Sequence, residues 1–147
     1  MIQRIQTVFL FLAAVFAGVL FFVPIAFFNV GNEIVKLSVF GVENHVNALL
    51  LLVLAILMVI VPLVTIFMYK KRELQLKLSS LNVLLNAMLC GLVFLFYVNK
   101  VQTDLSAVAV TYAFGTYVPL INIVLSILAM RWIKKDIELI KSVDRLR

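Results

Sequence analysis

Charge is scarce in this chain, and the places where it is missing are informative. Only 14% of the 147 residues are Asp, Glu, Lys or Arg, about half the ~25% of an ordinary soluble domain. No charged residue or histidine interrupts Val8–Phe28, Val46–Tyr69, Leu78–Val98 or Leu105–Met130. Ionisable groups inside such runs are the usual mark of ion coupling, proton relay or charge sensing. Their absence argues against a proton-coupled transporter and removes the usual general acids and bases. Cysteine is nearly absent as well: Cys90 stands alone, so no intrachain disulfide is available and the thiol reads as a small apolar filler. His45 is the one histidine, fewer ligands than a metal or haem site needs, so neither metal nor cofactor is expected. The sequence carries no G-x-S-x-G, H-E-x-x-H, P-loop or C-x-x-C pattern. An enzyme is therefore not expected; any catalytic site would have to be assembled from Glu33, Glu43, His45 and Asp104.

What is present is hydrocarbon. Hydrophobic residues make up 65% of the chain and the mean hydropathy is +1.16, far above a soluble domain. The first three uncharged runs hold about 21, 24 and 21 residues, each near the ~20 that carry a helix across a bilayer core. The fourth contains Gly115 and Pro119, so the helix proper is expected from Thr116 to Trp132, after a loop or shallow approach. The first run exceeds the apolar core of a signal peptide and lacks an A-x-A site; it reads as an uncleaved span. The expected fold is an all-α membrane protein, one domain over residues 1–147. It is an antiparallel four-helix bundle with spans at about 8–28, 46–69, 78–98 and 116–132.

The net charge of +6 is not a nucleic-acid signal, because the basic residues sit in blocks at the ends of apolar runs. They set topology instead. With the N-terminus in the cytoplasm, eleven of them face inward: Arg4, Lys70, Lys71, Arg72, Lys77, Arg131, Lys134, Lys135, Lys141, Arg145 and Arg147. Lys36 and Lys100 remain outside. Both termini are thus expected on the inner side. Residues 29–47 alternate weakly around glycines and suggest a small β-hairpin. In the second outer loop Tyr112, Phe114 and Tyr117 fit an interfacial aromatic belt. The inner loop KKRELQLK makes the second and third helices neighbours, and residues 133–147 read as an amphipathic helix lying at the headgroups. Pro24, Pro62 and Pro119 each remove a backbone donor and shape the helix they enter.

The polar groups inside the spans are few. Asn82 and Asn86 are four apart, on one face of the third helix. Counting at 1.5 Å per residue puts Asn86 roughly 12 Å and Asn122 roughly 16 Å from the inner surface, with Thr65 and Asn82 near 6 Å. Ser126 falls between. Matching depth pairs Asn86 with Asn122 and Asn82 with Thr65 across the bundle, contacts worth about 0.6 kcal/mol on average. They serve register more than stability; the alternative is a polar path for a small solute or lipid headgroup.

Several segments taken together resemble one family: MIQRIQT, FVPI, IFMYKKRELQLKLSSLN, TYVPL and RWIKKDIELIKSVDRLR. Over essentially its whole length the chain resembles the "domain of unknown function 4293" family of small membrane proteins of Bacteroidota. The resemblance implies four helices in a bacterial inner membrane, and no known activity. The residues carrying it include Gln3, Arg4, Tyr69, Lys70, Arg72, Leu74, Gln75, Asn82, Lys135, Asp136, Asp144 and Arg145, gathered toward the cytoplasmic side. A shared task there would be an inward-facing contact, with Asp136 and Asp144 pairing the inner-loop bases or a partner. The candidate partner surface is therefore Lys70, Lys71, Arg72, Gln75, Lys135, Asp136, Asp144 and Arg145. The function expected is a non-enzymatic subunit or scaffold of a membrane complex, in contact with lipids and a membrane or cytoplasmic protein. The alternative is a transporter or lipid-handling protein, as a homo-oligomer, using the bundle interior.

Overall fold

The computed structural model describes residues 2–30, 33–42, 46–104 and 109–145; for 2–4, 46–47, 141 and 143–145 it describes the backbone. His45 and Glu43 lie outside the described residues. Among the described residues four helices alternate in direction: α1 (Ile2–Val19), α2 (Leu49–Phe67), α3 (Arg72–Asp104) and α4 (Phe114–Arg145). Five strands among the described residues lie at one end of them: β1 (Ala26–Val30), β2 (Glu33–Ser38), β3 (Gly41–Val42), β4 (Val46–Asn47) and β5 (Ala109–Tyr112). The main helix–helix interfaces form a ring, α1 on α2, α2 on α3, α3 on α4 and α4 on α1. Leu49–Phe67, Arg72–Asp104 and Phe114–Ile140 are long and apolar enough to cross a membrane, whereas α1 contributes a shorter apolar helix, Ile5–Val19. Large apolar side chains project outward along them, among them Val53, Ile60, Leu84, Leu95 and Val124. So wide an apolar surface is incompatible with water; the chain is a multi-pass membrane protein.

The sheet runs β4-β3-β2-β1-β5. β1 and β2 form the expected hairpin, pairing from Ala26–Leu37 to Val30–Glu33. Inward-facing Ala26, Phe28 and Leu37 are fully buried, while Asn29 and Lys36 face out, the period-two pattern of a half-buried sheet. This face closes the end of the bundle against Ala17, Leu20, Leu51, Tyr97, Val98 and Val101. Between β2 and β3 the chain turns at Gly41, whose φ of 110° suits a residue without a Cβ. The Ser38 hydroxyl braces the turn, accepting from the Phe40 amide and donating to the Gly41 carbonyl.

Four expectations are corrected. The run Val8–Phe28 does not stay helical: α1 stops at Val19, and after Pro24, which lacks an amide proton, the chain enters β1. The second outer loop is not only an aromatic belt, because Ala109–Tyr112 adds a fifth strand to β1, with Tyr112 opposite Ala26. The inner loop shrinks to 68–71, since Arg72 onward is already helical, as Glu, Leu, Gln and Lys favour. The tail is no separate surface helix: α4 continues unbroken from Phe114 to Arg145, with no glycine or proline after Pro119 to end it.

Sheet and bundle are locked where α4 begins. The Ile25 carbonyl accepts from the Ala113 amide at 2.9 Å and from the Thr116 hydroxyl at 2.6 Å, and the Pro24 carbonyl accepts from the Gly115 amide at 3.1 Å. A Cβ on Gly115 would lie 2.6 Å from that Pro24 oxygen, so glycine is required by backbone contact. Facing this joint, α3 widens into a π-helical segment over Leu92–Tyr97, which shifts the faces its last turns present.

Candidate functional site

Along α3, Arg72, Gln75, Ser79, Asn82 and Asn86 recur at alternating steps of three and four, the spacing that keeps one seam on neighbouring helices. Gln75, Ser79, Asn82 and Asn86 are buried, and the same seam continues apolar through Leu89 and Val93 toward the sheet. Opposite it, α4 presents Asp136, Ile133, Ala129, Ser126 and Asn122, all buried. The interior is therefore polar in the half away from the sheet and apolar beside it.

Three of the polar side chains bond within their own helix. The hydroxyls of Thr65 and Ser79 donate to the carbonyls one turn back, Val61 at 2.6 Å and Gln75 at 2.9 Å. Asn86 Nδ2 donates to the Asn82 carbonyl at 2.7 Å. Other bonds join helices: Asn82 Nδ2 to Ser126 Oγ at 2.8 Å, Gln75 Nε2 to the Thr65 carbonyl at 3.3 Å, and Gln6 Nε2 to the Trp132 carbonyl at 3.1 Å. The seam ends in an ion pair, Arg72 Nη1 to Asp136 Oδ2 at 2.8 Å, between a half-buried guanidinium and a nearly buried carboxylate. That carboxylate also lies at the start of α3, where the helix dipole favours negative charge.

Depth matching gives other partners than the structure does. Asn82 bonds Ser126 rather than Thr65, whose carbonyl is taken by Gln75. Asn86 bonds its own helix, and both ends of the Asn122 carboxamide, with Asn86 Oδ1, have no hydrogen-bond partner. One turn sheetward of the Asn82–Ser126 contact, the antiparallel register brings Asn86 and Asn122 to one level. Arg72, Gln75 and Asp136 prove to be interior or half-buried contacts, whereas Lys70, Lys71 and Lys135 are exposed. Lys70 and Lys135 lie over the rings of Tyr69 and Trp132 at 5.9 and 5.4 Å. The side chains of Asp144 and Arg145 lie outside the described residues. Sequence reasoning missed Gln6 and Ser79; the steps Gln6, Leu10, Ala13, Ala17, Leu20 repeat the seam spacing and would have found the first. Among the described residues no three His, Cys, Asp or Glu side chains gather.

The model of one protein family, Domain of unknown function (DUF4293), matches residues 2–146. The chain belongs to this family. No curated protein and no solved structure matches it. The DUF4293 match takes in the polar seam, the ion pair that ends it and the sheet alike.

Proposed function

We propose that this DUF4293 protein is a non-enzymatic subunit or scaffold of a complex in a bacterial inner membrane, spanning it four times and working through its cytoplasmic, basic end. The observation that carries the reading is the division of surface chemistry. Away from the sheet, Lys70, Lys71, Arg131, Lys134 and Lys135 are exposed around the Arg72–Asp136 pair. The eleven-to-two division of basic residues favours that end facing the cytoplasm. Although α1 is short, it completes the ring between α2 and α4, which favours a fourth crossing over a surface position. The 32 residues of α4 amount to about 48 Å at 1.5 Å per residue, more than the ~30 Å of a bilayer core. Its last turns therefore extend beyond the membrane and offer exposed Leu139 and Ile140 beside Lys134, Lys135 and Glu138 to a protein partner.

Purification of the full chain in mild detergent, with and without residues 134–147, tests this reading. A stoichiometric partner protein that is lost on the deletion is the expected result. A partner that survives the deletion, or a homo-oligomer carrying only solute, contradicts it.

One observation favours a second reading, transport through the bundle. The partnerless Asn122 carboxamide and Asn86 Oδ1 are groups that a passing polar solute would satisfy. Asn82, Asn86, Asn122 and Ser126 are at most 1% exposed, so this path is closed in the structure, and the scaffold reading fits the closed interior better. Solute uptake by proteoliposomes that Asn122→Leu abolishes would favour transport instead.

A further inference from the structure

A groove on the outer side of the α1–α2 pair lies apart from the polar seam. Its walls are Val8, Phe11 and Leu12 of α1 and Leu63, Ile66 and Phe67 of α2, with Thr7 the one polar residue lining it among the described residues. On each helix these positions are one, three or four apart, so each wall is a single helix face. The groove holds about 420 Å³, within the roughly 300–1,000 Å³ of small-molecule sites. Val8, Phe11 and Phe67 are 54, 55 and 78% exposed, so it opens sideways to the medium around the helices, which for these spans is lipid.

Charge sits just beyond one end of it. α2 ends at Phe67, and the turn that follows carries Lys70 and Lys71, both exposed. Among the described residues neither ammonium has a carboxylate partner: the ion pair of this region is Arg72 with Asp136, and Glu73 is exposed. The Lys70 ammonium rests 5.9 Å from the Tyr69 ring centroid, a weak contact at an exposed position that leaves its donors free.

We propose that this groove seats an acyl chain of an anionic phospholipid, with Lys70 and Lys71 holding the headgroup phosphate. The apolar walls fit a hydrocarbon chain and offer no hydrogen bonds that a polar ligand would need. The two unneutralised ammoniums within a turn of Phe67 decide the headgroup, since basic clusters at the end of a span attract anionic lipid. A neutral lipid would fill the same trough without answering that charge. The inference holds for either orientation and does not depend on the scaffold reading.

The full-length protein is reconstituted into nanodiscs of phosphatidylglycerol and phosphatidylcholine in equal amounts. It is then extracted into mild detergent, and the retained lipid is counted by native mass spectrometry. One phosphatidylglycerol should remain, at least tenfold in preference to phosphatidylcholine. Val8→Trp, which fills the groove from an exposed position, should lower retention of both lipids at least fivefold. The double variant Lys70→Gln/Lys71→Gln should keep lipid in the groove but lose the preference. Equal retention of the two lipids by the unaltered protein, undiminished retention in Val8→Trp, or a preference that survives the double variant would each overturn the proposal. Should Val8→Trp fail to insert, Leu12→Phe carries the groove test with the same readout.

Discussion

At the sheet end, α3 and α4 turn Leu89, Val93 and Val118 into an apolar core that continues into Phe28 and Leu37. At the other end the same two helices meet through Asn82 with Ser126 and Arg72 with Asp136. The difference follows from what surrounds each region. The sheet packs at the ends of α1 and α2 and on the last turns of α3; outside a bilayer core, burial of apolar surface away from water is a strong driving force. Between helices in lipid that force vanishes, because acyl chains are as apolar as leucine. Directional contacts there choose one register from many of similar packing energy. Apolar burial thus stabilises the sheet end, and polar contacts specify the pairing of the other.

The largest effect should come from breaking the apolar side of this comparison. Phe28→Ala empties a fully buried site and should cost about 3–5 kcal/mol, seen as a large drop in melting temperature with loss of β signal in circular dichroism. The polar side has one strong point. Arg72→Gln leaves the Asp136 carboxylate without its cation and should cost about 3 kcal/mol, the low end for a buried pair because the guanidinium reaches solvent. Arg72→Met combined with Asp136→Leu should recover most of that loss, since neither charge is then stranded.

Gly115→Ala tests the joint between the two regions. Its methyl would press on the Pro24 carbonyl at a cost of about 1–3 kcal/mol. Faster hydrogen exchange should appear at the amides of residues 113 and 115, which bond across this joint, and not at the α3–α4 contacts near Arg72. The finest test compares two asparagines. Asn82→Leu removes a bond between helices and should cost about 0.6–1.7 kcal/mol. Asn122→Leu gives up no hydrogen bond and should be neutral or stabilising, because it withdraws an unsatisfied group from the interior. Equal losses at the two sites in detergent melting curves would sink the register argument.

Much of this architecture is legible in the sequence, and the misses have physical causes. Uncharged runs mark the helices because a span must satisfy its backbone internally, but continuous apolarity does not separate a helix from a buried strand. That is why Phe27 and Phe28 read as span and fold as β1. Ala109–Tyr112 pairs with a strand some 80 residues earlier, and no local pattern announces such a pairing. Depth counting set Asn82 shallower than Ser126, yet the two bond, because rise per residue fixes the spacing along one helix and not the offset between two. It gives no azimuth around the bundle, so it chose Thr65 where the fold uses Ser126. The family resemblance points to Asp136 and Asp144 pairing the inner-loop bases or a partner; Asp136 pairs Arg72, and the side chain of Asp144 lies outside the described residues.

The account rests on the two ends facing opposite aqueous compartments, the basic one inward. With Cys90 replaced by Ala, single cysteines at Lys71 and at Phe40, both exposed in the native chain, are treated with a membrane-impermeant maleimide in intact cells and in inverted vesicles. The account predicts that Phe40→Cys reacts from the outer side alone and Lys71→Cys only in inverted vesicles. Reaction of Lys71→Cys in intact cells, or of both positions from one side, would contradict it.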